Sequence, residues 1–397
     1  MTKKIKDGHF KEYHKNGEIY KEGLFLNGKK TGIWKFYDTY GVLEKEETYL
    51  KNKKDGYFTH KENNKIVKEG LHKDNKIYQC TKYIYDKESR TPEGLIREER
   101  YCKGKKHGKW KIYRDKKGYV PYSEIINYKD GKKHGKSILK SSNESYSTNY
   151  KNGKKNGDFL RLRDLYLPSN GEIIESGFYK DDEKHGEWKL FDTKKRLQQR
   201  LWFKNGKKNG NCYIYDSPDY QISRQFPNTY EYLEEIGIVG YIQHLKNQYE
   251  IGDINYTIDF KDDKFHGIFI MNITNRMKKQ GKMYEINFKN GKRHGSLSSF
   301  HYYNFRKESE QQYKNGMVHG TCYDYHNEYI KKSTYKNQEL HGPYETSDKK
   351  PSGKRFIIEK GQYRNDKKDG VWKYYKDEVI QKGETWKKGK LIESKKY

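Results

Sequence analysis

The stretch GKWKIYRDKKGYVPYSEIINYKDGKKHG, residues 108–135, decides how the chain folds. After Gly108, Trp110 and Ile112 alternate with Lys111 and Tyr113, the period-two pattern that puts neighbouring side chains on opposite faces of a strand. RDKKG then supplies a turn, a second strand returns through Ser123, Ile125, Asn127 and Tyr128, and YKDGKKHG leads into the next unit. The stretch reads as a β-hairpin.

Its continuation, GKKHGKS at 131–137, is one residue short of a phosphate-binding loop, which needs four residues between its glycines before the Lys and the Ser or Thr. Repetition explains it instead. Aligned on the last glycine, the phrase is FLNGKKTG to Gly32, YLKNKKDG to Gly56, YCKGKKHG to Gly108, YKDGKKHG to Gly135, YKNGKKNG to Gly157 and YKDDEKHG to Gly186. It continues as FKNGKKNG to Gly210, FKDDKFHG to Gly267, FKNGKRHG to Gly295, YKNGMVHG to Gly320, YKNQELHG to Gly342 and YRNDKKDG to Gly370. Only Gly135 is followed by Lys-Ser, so the nucleotide reading fails.

The repeat also overrides composition. With 397 residues, a formal charge of +29 and 35% charged residues, the chain falls on the disordered side of the usual rule and is too polar for one thick core. Its 39 tyrosines and 6 tryptophans, however, stand at fixed offsets from the repeated glycine: Trp34, Phe36 and Tyr37; Trp188, Leu190 and Phe191; Trp372, Tyr374 and Tyr375. Aromatics on successive strands meet across the pleat and stabilise a sheet by roughly 0.2–1 kcal/mol per pair. Alanine is absent while Lys, Asn, Ile and Tyr abound, as an AT-rich genome would give, so codon bias accounts for part of the basic charge.

Clear copies lie 22 to 30 residues apart, with two longer gaps. A worn copy, LHKDNKIYQCTKYIYD with Tyr78 in the glycine place, fits the first; YEYLEEIG to Gly237, followed by a hairpin ending in INYTIDF, fits the second. The expected architecture is all-β: about fifteen hairpins forming an elongated, single-layer antiparallel meander over residues 1–397, with 1–24 and 386–397 as capping units and 211–259 as the most degenerate stretch. Thirty strands at about 4.8 Å would run on the order of 140 Å. A twist of about 20° per strand would coil the ribbon.

The signature Y-K-N-G-K-x-H-G-x-W-x-x-Y closely resembles the MORN (membrane occupation and recognition nexus) repeat, in the variant of bacterial antitoxin-like and large-DNA-virus proteins. The resemblance covers nearly the whole chain. It implies a β-hairpin scaffold; some members bind acidic phospholipids, the bacterial variant is associated with neutralising a toxin partner, and others carry an enzymatic domain. No stretch here reads as an appended catalytic domain, so the expectation is a non-enzymatic chain without cofactor or small-molecule substrate.

Chemistry-bearing residues fit turn and core roles. The histidines at 107, 134, 185, 266, 294, 319 and 341 exchange with Thr31, Asp55, Asn156, Asn209 and Asp369, which are turn formers, and equivalent positions about 10 Å apart cannot share one metal ion. Asp181-Asp182 and Asp262-Asp263 replace Asn-Gly or Asp-Gly and are turn variants before they are paired catalysts. The four cysteines form no CxxC pair; Cys80, Cys212 and Cys322 take the place of Trp or Phe and read as small core residues. The N-terminus lacks a signal-peptide core and no stretch approaches transmembrane length, so a cytoplasmic location is expected.

What remains is electrostatic. Lys29-Lys30, Lys105-Lys106, Lys132-Lys133, Lys154-Lys155, Lys207-Lys208, Lys292-Arg293 and Lys367-Lys368 occupy the same turn in their units, so stacking would align them along one edge of the ribbon, the candidate surface for an anionic partner. Lysine also protects sheet edges from aggregation. Three functions are expected in order: a protein-interaction scaffold, including an antitoxin- or immunity-like binder; peripheral binding to an anionic phospholipid membrane; and non-specific nucleic-acid binding, which interleaved Tyr and Lys would assist.

Overall fold

The computed structural model describes residues 6–86, 94–114, 122–141, 143–163, 171–192, 194–216, 254–275, 277–349 and 355–397. Among these residues there are 33 β-strands and no α-helix. Two compact units divide the chain, one comprising Met1–Lys184 with Thr193–Lys195, the other His185–Asp192 with Arg196–Tyr397. In each, antiparallel strands pair with their neighbours in sequence, the meander expected of tandem hairpins.

Two-residue turns set the period. At one margin of the sheets, fourteen described turns, from Asn27-Gly28 to Lys388-Gly389, place both residues at positive φ. This is the type I′ geometry whose twist matches paired strands, and it explains the recurring Asn-Gly and Asp-Gly. At the opposite margin only Asn63-Asn64 and Asp377-Glu378 take this form among the described residues; the other connections there vary in length. Insertions are therefore confined to one margin of each unit.

The structure revises the reading of the lysine pairs. They do not lie in the turn; they begin the strand that leaves it, with Lys132 opposite Lys129 and Lys133 opposite Tyr128. The glycine that closes the repeat phrase is part of a bulge within the strand. Tyr49 faces Lys54 while Glu47 faces Phe58, so the strand Lys53–Glu62 gains two residues at Asp55-Gly56. Gly56 supplies the bulge with a φ of 121°. Because the insertion is even, alternation stays in phase, and Lys54 and Phe58 share a face.

That face holds the core. Trp34, Trp188, Trp372, Phe58 and Phe269 are fully buried. Around Trp34 lie Phe25, Phe10 and Tyr49, with ring centroids at 5.0, 5.8 and 6.2 Å; around Trp372 lie Tyr363 and Tyr344 at 5.1 and 5.4 Å. The Trp34 and Trp372 indoles rest on bare backbone of the preceding strand: a Cβ on Gly23 or Gly361 would come within 2.3 Å of the ring. Between Ile254 and Ile286 the layer is more aliphatic, with Ile254, Ile258, Met271, Ile273 and Ile286 buried beside Tyr256 and Phe269. Cys80, Cys212 and Cys322 are buried at the aromatic position, and burial pushes their thiols above the ordinary pKa.

One expected hairpin is replaced. The strand Ile254–Lys261, carrying INYTIDF, pairs with Gly210–Asp216 and not with a strand following Gly237. The copy at Gly237 lies outside the described residues. Residues 211–216 and 254–259 of the stretch expected to be most degenerate are regular strand.

Candidate interaction surfaces

The lysine pairs straddle the sheet. The first members, Lys29, Lys105, Lys132 and Lys154 in one unit and Lys207, Lys292 and Lys367 in the other, are exposed, with no ion pair among the described residues. Their partners lie on the aromatic face. Lys30 Nζ sits 4.3 Å from the Trp34 ring and 5.1 Å from Tyr49; Lys106 lies 4.4 Å from Trp110 and 5.2 Å from Tyr128; Lys368 lies 4.0 Å from Trp372 and 5.3 Å from Trp386. Lys133, Lys155 and Lys208 cover Tyr150, Tyr179 and Phe260 at 5.0, 4.8 and 5.2 Å, and Arg293 covers Tyr313 at 5.3 Å. Cation–π contacts of this kind are worth about 0.5–2 kcal/mol, more as water is excluded. For Lys30, burial, with repulsion from Lys21, lowers the ammonium below its ordinary pKa.

Successive turns are tied to one another. The N–H of the second turn residue donates to the carbonyl of the second-lysine position one repeat earlier: Asn52 to Lys30 (3.0 Å), Gly131 to Lys106 (2.8 Å), Asp263 to Lys208 (3.0 Å). Where that turn residue is Asn or Asp, its Oδ1 accepts the reciprocal N–H: Lys30 to Asn52 at 2.6 Å, Lys155 to Asp182 and Lys208 to Asp263 at 2.7 Å. This second bond offsets the strain of a non-glycine residue at positive φ. It also gives Asp182 and Asp263 a structural task.

The histidines extend the same ladder. His294 Nδ1 accepts from the Asn315 N–H at 3.5 Å, His266 Nδ1 from Asn290 at 3.4 Å, and His341 Nδ1 lies 3.0 Å from Asn365 Oδ1. These three, with His107 and His319, link one repeat to the next turn, whereas the Nδ1 atoms of His134 and His185 are buried without a hydrogen-bond partner among the described residues. Among the described residues no group of three or more His, Cys, Asp or Glu has the arrangement to hold a metal ion.

Buried carboxylates on the aromatic face are matched by cations. Glu47, opposite Trp34, meets Lys54 at 2.8 Å, Lys45 at 3.0 Å and His60 at 3.4 Å. Burial alone would raise its pKa; hydrogen bonds from His60, Lys54 and Lys45 outweigh that and hold it well below the usual carboxylate range. Glu99 is likewise raised by burial but lowered further by the Tyr101 hydroxyl and Arg97, at 2.6 and 3.0 Å. Glu384 is held at about 2 by Lys382 first, against burial, with Tyr374 Oη and Trp386 Nε1 donating at 2.8 and 2.9 Å. Each is an ionised group with its charge neutralised in place.

The opposite, outer face carries exposed apolar side chains that the repeat signature did not single out: Leu26, Ile33, Leu50, Tyr57 and Leu71. The signal was present, since Leu26 and Leu50 replace the basic residue found at this position in most repeats. A shallow groove of about 670 Å³, lined by Lys73, Asp74, Lys76, Ile77, Tyr78 and Lys103, opens where the bulge inserts one residue instead of two.

No family model matches the chain, and no curated protein matches it. Among solved structures it is similar to one described as "Crystal Structure of TcdB2-TccC3-TEV", at 8% identity and a TM-score of 0.12, over 98% of this chain and 26% of that one. The chain spans about a quarter of that protein's length, and a likeness at this level carries no functional argument.

Proposed function

We propose that the chain is a non-enzymatic repeat scaffold of the MORN type that binds a protein partner on the face opposite its aromatic ladder, an antitoxin- or immunity-like binder being one form of that function. The supporting observation is the two-sidedness of the sheets. One face satisfies itself with stacked rings, cations and neutralised carboxylates, while the other keeps Ile33, Tyr57, Ile268 and Val371 exposed on strands of both units. A cytoplasmic location fits this reading. No helix among the described residues is long and apolar enough to cross a membrane.

A second reading, peripheral binding to an anionic phospholipid surface, draws on the exposed first lysines, which would add about 1 kcal/mol each near such a surface. Within the recurring pairs it rests on the first member, since the second covers a ring. Salt separates the two. In a pull-down at low and moderate salt, the scaffold reading expects one stoichiometric protein that survives moderate salt. Retention of lipid or nucleic acid alone, lost as salt rises, would overturn it.

A further inference from the structure

Leu26 and Leu50 are anomalous within the repeat. In eleven other repeats the residue just after the aromatic of the returning strand is Lys or Arg, as at Lys129 and Arg364. Here two successive repeats carry leucine, and both side chains are left in water, 56% and 55% exposed. Core packing does not explain them, because their neighbours Phe25 and Tyr49 are the residues that face the ladder.

Register gathers them into one patch. Leu26 lies opposite Lys29, Ile33 opposite Thr48, Leu50 opposite Lys53, and Tyr57 opposite Leu71. The patch crosses five consecutive strands from Ile19–Leu26 to Lys65–Lys73, about 19 Å at ordinary strand spacing. Ile33 is 61% exposed and Tyr57 52%. Together these side chains offer on the order of 500 Å² of apolar surface, the size that marks an interaction site on a soluble protein. Its turn margin is basic: Lys29 and Lys51 are exposed with no ion pair among the described residues.

We propose that this patch is the docking surface for a protein partner whose contact face is apolar and acidic along the side that meets Lys29 and Lys51. The proposal rests on the scaffold reading and gives it a location. A second copy fits poorly, because two chains of charge +29 repel one another. An anionic membrane fits poorly as well, since Glu46 and Glu69 share this face, Glu69 accepting the Tyr57 hydroxyl at 2.6 Å. An apolar partner surface with acids on one side matches both features.

The test uses the full chain and the variant Leu26→Lys/Leu50→Lys, which installs the residue other repeats carry and so keeps the fold, checked by its melting curve. The probes are a peptide alternating Leu and Glu, its Leu/Lys counterpart, and vesicles with and without phosphatidylserine. The expected result is binding of the Leu/Glu peptide alone, weakened at least tenfold in the double variant and unchanged in Val371→Lys. Electrostatics by itself would make the double variant bind more tightly, because it adds two positive charges. Equal or tighter binding by the variant, no binding by the wild type, vesicle binding that the variant loses, or self-association that the variant abolishes would each overturn the proposal. If both chains retain the same stoichiometric protein from lysate, the patch assignment falls while the scaffold reading stands.

Discussion

Gly23→Ala is the sharpest probe of the aromatic ladder. Alanine's Cβ would come within 2.3 Å of Trp34 Cδ2, where ordinary carbon contacts are about 3.5–4.0 Å, so the ring or the strand must move by more than about 1 Å. Trp34 has little room to retreat, being fully buried among Phe10, Phe25, Tyr49 and Lys30. Overpacking of this kind costs about 1–3 kcal/mol. At a strand position without the ring, the same change would stabilise by about 0.4–1 kcal/mol, by restricting the unfolded chain. Trp34→Ala alone should cost about 3–5 kcal/mol through its cavity. In the double variant the new methyl enters emptied space, so the two costs should fall short of additivity by about 1 kcal/mol or more. The assay is hydrogen exchange of the strands between Gly8 and Leu50, because repeat arrays open locally and a global melt would blur the effect. Strict additivity, or a stabilising Gly23→Ala, would refute the packing described for this face.

Three further outcomes follow from the same geometry. Glu47 has a folded pKa below its unfolded value of 4.5, so its contribution is full above pH 4.5 and is lost as pH falls through the folded value; Glu47→Gln should cost about 2 kcal/mol at neutral pH and flatten the acid limb, as read by denaturant titration from pH 7 to 2. Asp182 sits at φ 74° and accepts from the Lys155 N–H at 2.7 Å, so Asp182→Ala should lose about 2 kcal/mol through strain and the missing bond, whereas Asp182→Gly, free of strain, should lose less than about 1 kcal/mol in the same assay. Replacing Lys29, Lys105, Lys132 and Lys154 by Gln should weaken retention on an anionic column without lowering the melting temperature, while replacing Lys30, Lys106, Lys133 and Lys155 should do the reverse.

Much of this was legible because side-chain alternation and turn chemistry are local. Trp110 and Ile112 alternating with Lys111 and Tyr113 gave the strand, Asn-Gly and Asp-Gly gave the turns, and the cysteines that replace Trp gave the core position. The fate of the lysine pairs was harder to read, because it depends on whether the step before the glycine is a turn or a bulge. Both conformations favour the same residue types, and only cross-strand register tells them apart: Lys54 opposite Tyr49, then Phe58 opposite Glu47. Once the bulge is known to insert two residues, alternation alone sends Lys30 to the Trp34 face and Lys29 to the other. The bonds of Asn52, Asp182 and His294 were hidden for a related reason, since their partners lie a whole repeat away. Leu26 and Leu50 were visible in the alignment but acquire meaning only when the structure shows both exposed on one face, one strand apart from each other across Lys29–Tyr37.

Residue-resolved lysine acetylation tests the central claim most directly, namely that each basic pair is divided between a solvent face and an aromatic face. With limiting reagent on the native chain and fragment-ion mass spectrometry, Lys29, Lys132, Lys154, Lys207 and Lys367 should react several-fold faster than Lys30, Lys133, Lys155, Lys208 and Lys368, and the difference should vanish in denaturant. Equal or inverted reactivity within the pairs of the native chain would contradict the account.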